Sequence, residues 1–162
     1  MRMLLHLPTN HRYRGLYRFL AALTALYVLA YGVVGLAVGW GHGFFSRDDI
    51  QALGLRTNLA FSVLSILVGA VVLVGIIVNH NWDHVLNLFG GLAFLVVGMF
   101  MLALLQTDLN VFNYNVTKCV VSFVIGLVLY VAGLYTRVGP VEQVRAEEAR
   151  RTSGAPLSAA GG

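Results

Sequence analysis

The sequence predicts an all-α membrane protein, a bundle of four transmembrane helices with both termini in the cytoplasm. Three observations carry that expectation. Hydrophobic residues make up 58% of the 162-residue chain and charged residues only 11%, against roughly 45–50% and about 25% in water-soluble domains. Four apolar runs, at about 16–40, 58–78, 85–105 and 116–136, each reach the roughly 20 helical residues that a bilayer core requires. The cations are also sorted by side. An even number of crossings puts both ends and the 79–84 turn together, and that side collects Arg2, Arg12, Arg14, Arg18, Arg137, Arg145, Arg150 and Arg151. The opposite side holds Arg47, Arg56 and Lys118, offset by Asp48, Asp49 and Asp108, so the positive-inside rule assigns the termini to the cytoplasm. These flanking positions also account for a pI near 9.6 without nucleic acid, because the arginines border apolar spans and do not line a polar face.

Taken in order, residues 1–15 form a basic segment in which Pro8 limits any helix and positive charge favours anionic lipid. The first span, 16–40, is far longer than the apolar core of a secretory signal, so it is read as a retained anchor. In the following loop, "SRDD" at Ser46–Asp49 predicts the cap of a short amphipathic helix ending near Gly54 on the outer surface. Asn79 and Asn81 suit a tight turn, and Asp83 is expected in the first turn of the third helix, where the dipole favours an anion. Lys118, at the start of the fourth span, is expected to snorkel outward. The sequon at Asn115–Thr117 abuts the membrane and is set aside. Beyond the fourth span, Gly139 and Pro140 stop the helix, Pro140 opens a charged cytoplasmic helix over 137–151, and 152–162 has the composition of a disordered tail. Tyr13, Tyr17, Trp82 and Tyr135 are expected at the inner boundary, and Trp40, Phe44, Phe45, Phe112 and Tyr114 at the outer one.

Two sets of residues stand out within the spans. Small residues four apart, Gly35 and Gly39, Ser65 and Gly69, Ser122 and Gly126, are candidates for helix packing, since close backbone approach is the usual adhesive in lipid. Asp83, His84 and Asn87 form a candidate polar cluster with Tyr130, which lies roughly 10 Å in from Arg137 at 1.5 Å per residue. Its expected role is hydrogen bonding between helices. His80 and His84 are spaced as metal ligands would be on one helical face, but zinc requires further ligands, and a b-type haem requires a histidine on a facing span that this chain lacks. No metal or cofactor is therefore expected. The alternative is a small-ligand, metal or haem site built from His80, His84, Asn87 and Tyr130.

Absences narrow the function. No aspartate or glutamate falls within the predicted spans, which excludes the carboxylate of a small proton-coupled exporter. The single Cys119 excludes dithiol chemistry, and no nucleophile stands beside a base. The expectation is a protein without catalytic chemistry, an accessory or scaffolding subunit of a larger membrane complex or a homo-oligomer. Its partners would be the lipid bilayer and other membrane subunits or itself.

The segments "NHNWDHVLNLFGGLAFLVVG" and "NVFNYNVTKCVVSFVIGLVLYVAGLY" resemble a family of small four-helix integral membrane proteins, found mainly in actinobacteria and classed as a domain of unknown function. The shared features are Asn81 and His84 in an N-x-x-H arrangement, Gly90-Gly91, the "NVFN" loop at Asn110–Asn113, and "GLVLYVAGLY" closing the last span. The likeness covers about Arg18 to Arg137. It implies a bacterial cytoplasmic membrane and brings no catalytic residues with it.

Overall fold

The computed structural model describes residues 10–78 and 82–139, together with Arg145 and Ala149. Its helices are α1 (Arg14–Val38), α2 (Leu59–Val78), α3 (Trp82–Leu104) and α4 (Val116–Tyr135). All four are long and apolar enough to cross a membrane, and helices satisfy every interior backbone group where no water is available. The chain is a multi-pass, all-α membrane protein. Two helices begin earlier than the apolar runs suggest, α1 at 14 and α3 at 82. Hydropathy locates the lipid-immersed part of a helix, whereas the backbone ladder continues through the polar Arg14 and Asp83.

The closest appositions are α1 with α2 and α3 with α4, and contacts between α1 and α4 and between α2 and α3 complete the bundle. Glycine makes the close pairs possible. A Cβ added to Gly126 would lie 2.9 Å from the Gly91 carbonyl oxygen, one on Gly133 would lie 2.7 Å from the Leu88 Cα, and one on Gly69 would lie 2.8 Å from the Leu29 nitrogen. Backbones this near leave no room for a side chain. Of the positions proposed for packing, Gly35 faces the Ser62 hydroxyl, Gly69 faces α1, Gly126 faces α3, and Gly39 follows the end of α1 against Leu59. Ser65 and Ser122 are buried. Gly32, Gly91 and Gly133 make equally tight seams that four-residue spacing alone did not single out.

Between α1 and α2 the chain forms a hairpin, not the expected short helix. β1 (Gln51–Ala52) pairs antiparallel with β2 (Leu55–Arg56), Gln51 opposite Arg56 and Ala52 opposite Leu55. Leu53 and Gly54 connect them at φ of +49° and +80°, the two successive positive φ values that a type I′ turn demands. The Ser46 hydroxyl, proposed as a helix cap, instead donates to the Asp48 carboxylate at 2.6 Å. Ile50, Ala52 and Leu55 are buried while Gln51 and Leu53 face outward. That is an alternation of period two, as a half-buried hairpin requires.

At the opposite end the first and last described stretches meet. The Asn10 backbone N–H donates to the Arg137 carbonyl at 3.0 Å, and the Asn10 side chain donates to the Gly139 carbonyl at 3.0 Å. We call this the terminal end and the other the loop end. Residues 1–9, His80, the 152–162 tail and most of the charged helix expected over 137–151 lie outside the described residues; Arg145 and Ala149 are helical.

Candidate functional site

Polar side chains concentrate at the two ends of the bundle. At the terminal end, Asp83 is fully buried in the first turn of α3. Its carboxylate faces Arg18 Nε at 3.2 Å and Arg14 Nη2 at 3.5 Å, both from α1. The same arginines reach two further helices: Arg14 Nε donates to the Thr136 carbonyl at 3.0 Å, and Arg18 donates to the Ile76 carbonyl. Cations thus meet the carbonyl ends of α2 and α4, and an anion meets the amino end of α3. Each is the sign that the helix dipole favours. One ionic knot ties together four helix ends.

The polar cluster expected around Asp83, His84, Asn87 and Tyr130 forms only in part. His84 Nδ1 contacts the Gly133 carbonyl oxygen at 2.5 Å, an interhelical hydrogen bond from α3 to α4. Asn87, one turn on, is fully buried, and among the described residues neither its Nδ2 nor its Oδ1 has a partner, nor does the Thr136 hydroxyl. Tyr130 presents its backbone to Gly91, and its hydroxyl has no hydrogen bond among the described residues. At Tyr130 the contact between α3 and α4 is made through the backbone, against Gly91. Sequence reasoning missed the pairing of Asp83 with Arg14 and Arg18, having read the arginines only as topology signals. That one buried acid shares an end with several cations was the available clue.

At the loop end, asparagines bind the loops to the bundle. Asn58 Oδ1 accepts from the Phe61 N–H at 2.9 Å, capping α2, while its Nδ2 donates to the Val111 carbonyl at 2.8 Å. Asn113 Nδ2 donates to the carbonyls of Asp48 and Thr57 at 2.8 and 3.1 Å. Asn115 Oδ1 caps α4, accepting from the Lys118 N–H at 2.8 Å. Exposed pairs, Arg47 with Asp108 and Arg56 with Asp49, cover the outside. The Ser46 hydroxyl and then His42 hold the Asp48 carboxyl below its usual range, and Arg56 does the same for Asp49.

Lys118 does not snorkel outward. It is 2% exposed, its Nζ donates to the Phe112 carbonyl at 2.8 Å, and it lies 3.6 Å from the centre of the Phe61 ring and 4.6 Å from that of Tyr114. Side chains in a first helical turn lean back toward the amino end. Here that direction leads under the 106–115 loop, which Asn110 and Asn113 fold over the ammonium. No carboxylate pairs with Lys118 among the described residues. Tyr114, expected as a surface anchor, is 3% exposed; burial pushes its phenol up to about 12, against a weak opposing contact with Ser122.

Below this lysine lies a cleft among the four helices. Tyr27 and Tyr31 of α1, Phe61 of α2, Phe94 of α3, and Lys118 and Ser122 of α4 line it, and it holds about 310 Å³ of unfilled space counted out to its open side. Among the described residues, no three histidine, cysteine or carboxylate side chains are grouped as metal ligands.

Fold and site together define a multi-pass helical membrane protein with an ionic knot at one end and, at the other, a buried lysine that no carboxylate among the described residues pairs with. No family model, curated protein or solved structure matches this chain.

Proposed function

We propose that the protein is a non-enzymatic accessory or scaffolding subunit of the bacterial cytoplasmic membrane, working in a larger membrane complex or as a homo-oligomer. The observation that carries this reading is the engagement of polar groups. The Asp83 carboxylate, the arginines of α1 and the asparagines of the loops are committed to joining helix ends and loops. Side chains held this way support a rigid body and leave little chemistry to perform. The arginine distribution favours cytoplasmic termini.

Purification in mild detergent, with identification of co-purifying chains and measurement of the particle mass, tests the proposal. A defined complex or oligomer is the expected result, and a monodisperse monomer with no companion would refute it. Reporters fused to both ends should report the cytoplasmic side; opposite sides would overturn the orientation.

A second reading is favoured by one observation, the Asn87 amide and Thr136 hydroxyl, which are buried with no partner among the described residues. Buried polar atoms in such a state are ordinarily met by water or a ligand. Under that reading a small ligand would meet the Asn87 amide beside His84, with His80 and Tyr130 as the further residues that the sequence offers. Metal analysis and an absorption spectrum of the purified protein discriminate, because stoichiometric metal or a haem band would favour it.

A further inference from the structure

We propose that the cleft beneath Lys118 is a lipid site that receives the carboxylate of a single-chain amphiphile, such as a free fatty acid, entering sideways from the outer leaflet. The inference rests on two independent features: a buried lysine with no carboxylate beside it among the described residues, and an apolar cleft that it lines.

A charge inside a bilayer is costly unless it is paired, and an ionisable residue there marks a functional position by default. Lys118 has one carbonyl and two ring faces around it, which soften a positive charge but do not neutralise it. Among the described residues, no acceptor carrying a full negative charge reaches it. Ser122 and Ser65 line the same cleft. The Ser65 hydroxyl already donates to the Phe61 carbonyl, whereas among the described residues Ser122 has only the 3.4 Å contact with the Tyr114 hydroxyl. Lys118 and Ser122, one turn apart on α4, thus offer an ammonium and a hydroxyl to a two-oxygen anion.

The shape of the cleft selects the ligand. The cleft as a whole has room for little more than one or two water-sized groups, which admits a carboxylate more readily than a glycerol phosphodiester. Of its lining, Tyr27 of α1 is 37% exposed and Val121 and Ile125 of α4 are partly exposed, and we take these three as its rim. From Lys118 to Ile125 the groove descends about 10 Å at 1.5 Å per residue, from near the loop-end boundary toward mid-membrane. A hydrocarbon tail would lie along that rim in contact with lipid, leaving only the head group inside. Lys118 begins to face a partner of opposite charge when such a chain slides up the groove.

Native mass spectrometry of the full chain, released from mild detergent in the presence of oleate, oleyl alcohol, acetate or phosphatidylglycerol, tests the site. The wild type should retain one oleate, and should retain it at least tenfold more than oleyl alcohol, which lacks the charge, or acetate, which lacks the tail. Lys118→Met should lose that preference while keeping its thermal unfolding transition. If Lys118→Met does not fold, Val121→Trp, which fills the rim and leaves the lysine in place, should lose oleate as well. Equal oleate retention by Lys118→Met or Val121→Trp would assign binding to the arginines of the terminal end and overturn the proposal. So would stronger retention of phosphatidylglycerol than of oleate.

Discussion

Asn58 and Asn87 are both fully buried, yet among the described residues only Asn58 finds partners for its amide. Removing the Asn58 side chain strands the Phe61 N–H at the start of α2 and the Val111 carbonyl, each loss costing about 1–3 kcal/mol once the group left behind is buried. Asn58→Ala should therefore lower stability by roughly 2–4 kcal/mol, read as a clear drop in melting temperature in mild detergent. Asn87→Ala removes a carbon and two polar atoms that make no bond among the described residues, so its change should stay within about 1 kcal/mol. A large loss at Asn87 would reveal an ordered water or ligand on its amide. Residue type alone marked Asn87 and His84 as polar groups within a span. It could not distinguish a bonded amide from an orphaned one, because the partners are carbonyls of distant segments. Lys118 was misjudged for the same reason: its long stem permits snorkelling, and only the loop folded above it closes that route.

Among the elements, the α3–α4 seam is the tightest test of packing. A Cβ on Gly91 would meet the Tyr130 nitrogen and lie 2.7 Å from the Gly126 carbonyl, while one on Gly90 would lie 3.9 Å from Val72 Cγ2. Gly91→Ala should separate the helices and cost about 1–3 kcal/mol, the usual penalty of overpacking. Gly90→Ala should be neutral or gain up to about 1 kcal/mol from helix propensity. Thermal unfolding of the two neighbouring variants makes the comparison, and equal effects would contradict the seam. In the hairpin, Leu53 holds φ at +49°, a conformation that costs a branched side chain about 1–2 kcal/mol and asparagine less. Leu53→Asn should raise the melting temperature, and a fall would mean that the exposed leucine makes contacts beyond the chain. The helices were legible because twenty apolar residues admit only one structure in lipid. The hairpin was not, since strands of two residues are too short for their period to be separated from that of a helical turn.

For the molecule as a whole, the knot of Asp83 with Arg14 and Arg18 is the point at which four helix ends depend on one carboxylate. Asp83→Asn keeps the shape but leaves two guanidinium groups facing a neutral amide. Both arginines are about a quarter exposed, so water tempers the loss, and a cost of about 1–3 kcal/mol is expected. It should appear as a lower melting temperature with faster proteolysis near Arg14, and an unchanged melting temperature would show that the carbonyl contacts of the arginines suffice. The sequence by itself determined the solvent, the number of crossings and the common side of the two ends, because these follow from apolar length and charge placement, which are properties of composition along a line. The joining of Asp83 to α1, the meeting of α3 and α4 through Gly91, and the burial of Lys118 above an open groove were decided only by the tertiary structure. Each of these brings together residues far apart in the chain, and in lipid, where hydrophobicity does not discriminate one helix face from another, only the fit of backbones and the pairing of a few polar groups select which faces meet.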